Sequence, residues 1–109
     1  MRPHHTERLT ESVSRLTAEF LVRRGGGLAR HSTGATLVTV TGARLDKSGR
    51  MATIFISVYP ANEEIKALAE VRTWRHELRD FLDTRLRSSP LTQIDFAVDM
   101  RATRGHEDS

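Results

Sequence analysis

An alternating stretch in the middle of this 109-residue chain constrains its fold more than any other feature. Between Met51 and Tyr59, apolar side chains alternate with polar or aromatic ones, which is the period of a β-strand with one buried face. Thr36 to Leu45 is rich in Thr, Val and Leu and also favours a strand. Between them lies a polar turn, Asp46 to Arg50, in which Gly49 can supply a positive φ. We therefore predict an antiparallel hairpin whose inward residues are Ala52, Ile54, Ile56 and Val58.

An amphipathic helix is predicted before the hairpin, with its apolar stripe at Leu9, Val13, Leu16 and Phe20. Thr6 can cap this helix, because a threonine side chain can accept a hydrogen bond from a first-turn N–H. Three consecutive glycines, Gly25 to Gly27, must end it, since their backbone entropy is too costly inside a helix. The stretch from Arg23 to Gly34 is dominated by Arg, Gly, His and Ser and predicts a mobile basic loop.

Helices and a last strand are predicted after the hairpin. Pro60 stops the second strand, and Asn62 can cap a short helix. The apolar positions of that helix are Ile65, Leu68 and Ala69. A longer helix follows or continues it until Ser88-Ser89-Pro90. Its apolar side is formed by Val71, Trp74, Leu78, Phe81, Leu82 and Leu86. The final strand turns one face inward, at Ile94, Phe96 and Val98.

The predicted order is helix, strand, strand, helix, helix, strand. This is an α+β fold, in which a three-stranded sheet with helices on one face satisfies every amphipathic pattern. About 30 residues separate the second and third strands, which is the spacing of a crossover connection. We predict one domain over residues 6–99, a flexible N-terminus at 1–5 and a disordered polar tail at 100–109.

Arginine dominates the charged composition. Lys plus Arg total 17 against 14 Asp plus Glu, and only Lys47 and Lys66 are lysines. Guanidinium groups match phosphate geometry and stack on bases, so the composition favours a polyanionic partner. The chain has no cysteine, which excludes disulfides, thiolate metal sites and cysteine nucleophiles. No apolar segment is long enough for a signal peptide or a bilayer span, and we expect a cytoplasmic protein.

The order of these elements, together with several local sequences, resembles the ribosome-binding factor A family, which has a type II KH-like fold. The resemblance covers residues 6–99 and implies a non-enzymatic protein that binds the small ribosomal subunit or its precursor RNA. It also implies a role in late maturation of the small-subunit RNA. The matching segments are the opening helix Arg8–Leu21, the hairpin strands Leu37–Asp46 and Met51–Val58, the helix end Leu82–Arg87, Pro90 and the strand Ile94–Asp99.

One departure concerns the helix pair. The family is similar to other KH domains but replaces their Gly-x-x-Gly phosphate loop with a helix kink of the form Ala-x-Gly. This chain has no Gly-x-x-Gly, in agreement with the family. It also lacks Ala-x-Gly, because the corresponding stretch is Glu70-Val71-Arg72-Thr73-Trp74. Either the kink forms by another means, near Val71 to Thr73, or the two predicted helices are one.

The first candidate RNA-binding set lies on the long helix and comprises Arg72, Arg75, His76 and Arg79. Helical spacing places these side chains on one stripe beside the apolar side. Guanidinium groups in such a row can contact successive phosphates, and each contact adds to a salt-dependent affinity. The alternative is a solvated face with weak ion pairs to nearby acids. Those acids are Glu77, Asp80 and Asp83.

Two other basic sets are candidates. The glycine-rich loop supplies Arg23, Arg24, Arg30 and His31. Flexible glycines would let these side chains fit an irregular RNA surface, although a solvated connector is an equal alternative. The hairpin tip supplies a weaker set, since basic tips are more often solvated than functional. This set is Arg44, Lys47 and Arg50.

Aromatic residues offer a further possibility, because bases stack on aromatic rings. Trp74 lies in the apolar stripe of the long helix, so core packing is favoured over stacking. Phe55 and Tyr59 lie on the strand face opposite Ile54 and Ile56. If the helices cover the other face, both rings could be exposed, and Tyr59 at the strand end is the more plausible of the two.

Catalytic and metal sites find no support in the sequence. His4-His5 have no third ligand placed by spacing, and Glu63-Glu64 at a helix start favour the macrodipole instead of acid–base chemistry. The Gly25–Gly27 segment follows a helix, whereas a phosphate loop follows a strand. We expect a monomer that is not an enzyme and uses no metal or cofactor. The alternatives are a general KH-like RNA-binding module and an α+β domain that binds a protein or a small ligand.

Overall fold

The computed structural model describes residues 3–25, 28–31, 34–86 and 91–100. Within these residues the predicted order of helices and strands is confirmed, and one short strand is added. In chain order the elements are α1 (Pro3–Gly25), β1 (Leu28–His31), β2 (Gly34–Leu45), β3 (Met51–Tyr59), a 3₁₀ turn (Ala61–Glu63), α2 (Glu64–Arg72), α3 (Arg75–Arg85) and β4 (Gln93–Val98).

The strands form one mixed sheet in the order β1-β2-β3-β4. The predicted hairpin is confirmed, because β2 and β3 are antiparallel and Gly49 in their turn has a φ of 75°. β4 lies parallel to β3, with Ile54 beside Phe96, after the crossover through α2 and α3. A bulge between Val40 and Gly42 shifts the register of β2. Because β4 is last in the strand order, it is an edge strand, with no further described strand beside it.

The helices cover one face of the sheet, and the core lies between the two layers. The predicted inward residues of α1 and β3 are buried, as are Leu78 and Leu82 of α3. Trp74, Phe81 and Leu86 are half-buried against this core. The other face of the sheet is the open face, and β3 presents there the alternate residues Thr53, Phe55, Ser57 and Tyr59. The α+β, KH-like fold class predicted from the sequence is confirmed.

Two predictions for the N-terminal half are wrong. α1 begins at Pro3, so Thr6 lies inside the helix and is not its cap. Proline is favoured in a first turn because the N–H that it lacks has no helical partner there. The predicted basic loop from Arg23 to Gly34 instead continues α1 through Gly25 and then forms β1, whose Leu28 pairs with Leu37. Residues 26, 27, 32 and 33 of that segment lie outside the described residues.

The predicted cap of α2 is also wrong, and of its predicted apolar positions only Leu68 packs, half-buried, against the core. Asn62 lies in the 3₁₀ turn, and Glu63 occupies the cap position of α2. The buried residues of the helix are Ala67 and Val71, whereas Ile65 is 85% exposed. A helix of nine residues has too few apolar positions for the sequence to show which of its faces turns toward the core. The predicted break at 88–90 and tail residues 101–109 lie outside the described residues.

Candidate nucleic-acid interface

A break between α2 and α3 positions the first arginine set. The N–H groups of Thr73 and Trp74 donate to the carbonyls of Glu70 and Val71 at 3.0 Å, three residues back instead of four. The Thr73 hydroxyl donates to the Glu70 carbonyl at 2.6 Å, and Arg75 Nε donates to the Arg72 carbonyl at 3.1 Å. Side chains thus satisfy carbonyls at the break. The kink forms without glycine, and the alternative of one continuous helix is wrong.

Arg72 and Arg75 hold the edge of β4. Arg72 Nε donates to Asp95 Oδ1 at 3.0 Å, and its terminal nitrogen donates to the Phe96 carbonyl at 3.1 Å. Arg75 reaches the same carboxylate oxygen at 3.5 Å. Asp95 in turn accepts a hydrogen bond from the Phe96 N–H at 2.8 Å. Both backbone polar groups of Phe96 are therefore satisfied by side chains, which blocks an edge that could otherwise pair with another strand.

Further along α3, a groove runs between the helix and β4. It has a volume of about 200 Å³, and we call it the edge groove; its lining is Arg75, His76, Arg79, Thr92, Gln93 and Ile94. Arg79 closes one end by donating to the Thr92 carbonyl at 3.3 Å. Every ionisable lining residue is basic, and amide and hydroxyl groups stand beside them. The groove therefore offers the chemistry that binds phosphate and sugar oxygens.

The predicted acidic partners of these arginines differ from the observed ones. Arg72 and Arg75 pair with Asp95 of β4, which the sequence did not single out. Glu77 pairs instead with Arg24 of α1. The sequence does place Asp95 on the outward side of the last strand. Its pairing with these arginines could not be predicted, because it depends on which strand lies at the edge of the sheet. Because these groups are partly exposed, each ion pair contributes at most about 1 kcal/mol.

The second predicted set does not form one loop. Arg23 and Arg24 lie in the last turn of α1. Besides pairing with Glu77, Arg24 has its guanidinium 5.4 Å from the Phe20 ring and 5.5 Å from the Trp74 ring. Arg23 lies 5.7 Å from the Phe81 ring and pairs with Glu19 at 3.4 Å. These two arginines join α1 to α3 through cation–π contacts. The core-packing prediction for Trp74 is confirmed.

Arg30 and His31, the other members of that set, lie on β1. Their backbones pair with Ala35 and Gly34 of β2. The outer edge of β1 is the second edge of the sheet, and β4 forms the first. Arg30 and His31 are thus on strand β1, whereas the edge groove lies at β4, three positions away in the strand order. The structure does not bring this pair together with the arginines of α2 and α3.

The hairpin tip adjoins the edge groove. The Arg50 carbonyl accepts hydrogen bonds from the N–H of Thr92 at 2.7 Å and of Gln93 at 3.3 Å, and both residues line the groove. Arg44, Lys47 and Arg50 are exposed, and among the described residues none of them forms an ion pair. The structure therefore places Arg50 of the third set beside the groove that contains Arg75, His76 and Arg79.

The turn at the tip is organised by Asp46. Its carboxylate accepts hydrogen bonds from the Ser48 hydroxyl at 2.8 Å and from the Gly49 N–H at 3.0 Å. The hydrogen bond from Ser48, aided by the backbone N–H groups of the turn, lowers the pKa of Asp46 below its ordinary value of 3.8. An ionised Asp46 thus stabilises the turn that carries Lys47 and Arg50.

Neither a metal centre nor a membrane span stands out in the described part of the chain. No group of three or more His, Asp or Glu residues there is arranged to hold a metal ion. No described helix has the length and apolar composition needed to cross a bilayer.

The element order and the mixed sheet define a type II KH-like fold. Within this class, the structure is similar to the crystal structure of ribosome-binding factor A from Thermus thermophilus, with a TM-score of 0.71 and 24% identity over 85% of this chain and 94% of that chain. It is also similar to the solution structure of a candidate ribosome-binding factor A from Thermotoga maritima. There the TM-score is 0.71 and the identity 21%, over 89% of this chain and 90% of that chain.

A third similar structure is a homology model of the Thermus thermophilus factor fitted into a cryo-electron microscopy map of a 30S–factor complex. Its TM-score is 0.62 at 21% identity, over 84% of this chain and 92% of that chain. No protein-family model matches the sequence, and no curated protein matches it. At these identities the likeness concerns the fold, and for the fold the resemblance predicted from the sequence is confirmed.

Proposed function

We propose that this chain is a member of the ribosome-binding factor A family that binds the small ribosomal subunit or its precursor RNA. Its role would be to assist late maturation of the small-subunit RNA as a cytoplasmic monomer, without covalent chemistry or a cofactor. The fold likeness supports this proposal, including the likeness to a factor fitted into a map of a 30S complex.

The observation that carries the proposal is that every ionisable residue lining the edge groove is basic. Arg75, His76 and Arg79 present two guanidinium groups and one imidazole ring to a single cleft. Gln93 and Thr92 add amide and hydroxyl groups that can bond ribose 2′-hydroxyls, which distinguish RNA from DNA. Arg79 and Arg75 are held by hydrogen bonds to the Thr92 carbonyl and to Asp95. These contacts restrict the two side chains before RNA binds, which lowers the entropic cost of association.

The hairpin tip extends this surface. The Arg50 carbonyl accepts a hydrogen bond from Thr92, which lines the groove, and Lys47 lies in the same turn as Arg50. Together with Arg75 and Arg79, these side chains provide about four phosphate contacts, so the logarithm of the affinity should fall with the logarithm of salt concentration with a slope of about −3. Such binding can favour one RNA conformer over another, and this population shift is sufficient for a non-enzymatic maturation role.

The proposal is tested by co-sedimentation of the purified chain with isolated small and large ribosomal subunits at two salt concentrations. We expect binding to the small subunit that weakens at the higher salt concentration and little binding to the large subunit. Equal binding to both subunits would replace the proposal with a general RNA-binding module. Absence of binding at low salt would contradict an RNA role and favour a protein-interaction domain.

A further inference from the structure

We infer that the open face of the sheet holds a second nucleic-acid site, a stacking position for one unpaired RNA base beside the bulge of β2. The inference rests on the proposed RNA-binding role and adds to it a site of different chemistry. The edge groove is lined by α3 and the start of β4, whereas this site is lined by the β2–β3 hairpin and by residues 98–100 at the end of β4. Its central residue is Phe55, which projects from β3 on the face turned away from the helices.

The bulge leaves space beside the Phe55 ring. The register places Gly42 directly opposite Phe55, and a Cβ built on Gly42 would meet no atom within 4 Å. The resulting cavity measures about 550 Å³, which lies within the range of ligand sites. Phe55 is half-buried and borders the cavity.

The chemistry of the cavity suits a nucleotide. The Arg44 guanidinium lies over the Phe55 ring, 5.6 Å from its centre, and both side chains line the cavity. Arg44 is exposed and forms no ion pair among the described residues, which leaves its charge available for a phosphate. A base stacked on the ring would then have its backbone within reach of Arg44. Such stacking does not depend on base identity, because every base has a π-face.

A hydrogen bond across the sheet joins two residues that line this cavity. The Thr41 hydroxyl donates to Asp99 Oδ2 at 2.6 Å, which links the bulge of β2 to the residue after β4, and the hydroxyl also lies 3.3 Å from the Phe55 carbonyl. These contacts stabilise the bulge that places Gly42 opposite Phe55. Tyr59, on the same face and strand, is 73% exposed. It lies about 13 Å from Phe55 along the strand, so an extended RNA that runs along β3 could also meet a second ring.

RNA fits these observations better than a protein partner. A protein interface centres on a contiguous apolar patch depleted of charge. Here the ring lies beside a guanidinium that forms no ion pair among the described residues, and the cavity is also lined by the Thr41 hydroxyl and the Asp99 carboxylate. The exposed apolar side chain of Leu37 lies at the far end of the hairpin, paired with Tyr59 and not with Phe55.

The test uses the full chain and a fluorescent single-stranded oligouridine of about ten nucleotides, a length in the range of single-strand binding sites. Phe55→Leu removes the ring and should weaken binding about tenfold in an anisotropy titration. Gly42→Leu fills the cavity, and because Gly42 does not have a positive φ, the backbone accepts a side chain there. This variant should weaken binding to a similar extent. Phe55→Tyr keeps the ring and is the matched control, with affinity close to that of the unmodified chain.

Thermal unfolding of each variant separates loss of the site from loss of the fold. Oligouridine affinity that is unchanged in folded Phe55→Leu and Gly42→Leu would overturn the inference, as would absence of oligouridine binding by the unmodified chain. In either case the proposed function would still be supported if the chain binds the small subunit and this binding depends on Arg75 and Arg79. Failure of the unmodified chain to bind both oligouridine and subunits would overturn the two together.

Discussion

The β4 edge and the hairpin tip each present three cations, yet they use them differently. At the edge, Arg72 donates to Asp95 and to the Phe96 carbonyl, and Arg79 donates to the Thr92 carbonyl. At the tip, no described acid pairs with the cations, and the turn depends on a carboxylate and a glycine instead. The same residue types thus support the fold in one region and stay free for a ligand in the other. Charge in the sequence does not separate these roles, whereas the contacts do.

Because of this difference, we expect the two regions to contribute differently to RNA binding. At the β4 edge, Arg72 and Arg75 are held in ion pairs with Asp95. At the tip, Lys47 and Arg50 form no ion pair among the described residues, and Arg44 lies over the Phe55 ring. We therefore expect the edge to select the shape of the RNA and the tip to contribute mainly salt-dependent attraction. The following experiments test whether the two regions differ in this way.

The largest expected effect on stability is at Arg72. Replacing Arg72 with Gln removes the donor to the Phe96 carbonyl and one partner of Asp95, and should lower the free energy of unfolding by about 1–2 kcal/mol. Arg44→Gln removes the same charge at the tip and should stay within about 0.5 kcal/mol of the unmodified chain. Urea unfolding of both variants measures the difference. Equal stabilities would show that the edge contacts do not support the fold.

Gly49 tests how strongly the tip depends on backbone conformation. Its φ of 75° disfavours any residue with a Cβ, so Gly49→Ala should lower the free energy of unfolding by about 1 kcal/mol. Gly42→Ala is the matched control, since Gly42 does not have a positive φ and faces open space. That variant should unfold at the same denaturant concentration or slightly higher. If Gly42→Ala were the more damaging of the two, the assignment of strain to the tip would be wrong.

Asp46 gives the tip a pH dependence. Because its pKa is lower in the folded chain, the ionised carboxylate stabilises the turn fully above its ordinary pKa of 3.8. This stabilisation declines as the pH falls and is lost once the pH passes below the folded pKa. Asp46→Asn should therefore be less stable than the unmodified chain near neutral pH and converge with it in acid. Unfolding curves at a series of pH values check this, and a constant difference between the two proteins would argue against the role.

The smallest expected effect on stability is at Lys47 and Arg50. Replacing both with Gln should leave the unfolding curve unchanged, because neither side chain forms an ion pair among the described residues. The same double variant should reduce the slope of small-subunit affinity against salt by about 1.5, since two phosphate contacts are lost. An unaltered slope would show that the tip does not meet RNA.

Local patterns in the sequence predicted most of the fold. The alternation from Ala52 to Val58 gave the hairpin and its buried face, and the apolar spacing on α1 and α3 gave the helical layer. β1 could not be predicted in the same way, since its four residues depend on backbone pairing with β2 in a segment whose composition favours a loop. The buried face of α2 was missed for a related reason, because the packing of Ala67 and Val71 against the core decides which side of the helix turns inward.

The candidate site was predictable only in part. Helical spacing correctly grouped Arg75, His76 and Arg79, which share one groove. The sequence could not show that Thr92 and Gln93 form the other wall, because that depends on which strand lies at the edge. Nor could it show that Arg24 packs on Trp74 while Arg44 lies over Phe55, since both contacts join residues that are distant along the chain.

The most direct measurement is the affinity of the small subunit for two double variants of equal charge. The first double variant, Arg75→Gln with Arg79→Gln, removes both arginines from the edge groove. The second, Arg8→Gln with Arg15→Gln, removes two exposed charges from α1. We predict that the groove variant binds about tenfold or more weakly and the α1 variant within about twofold of the unmodified chain, at one moderate salt concentration. Equal weakening of both variants would mean that net charge, and not the edge groove, holds the RNA.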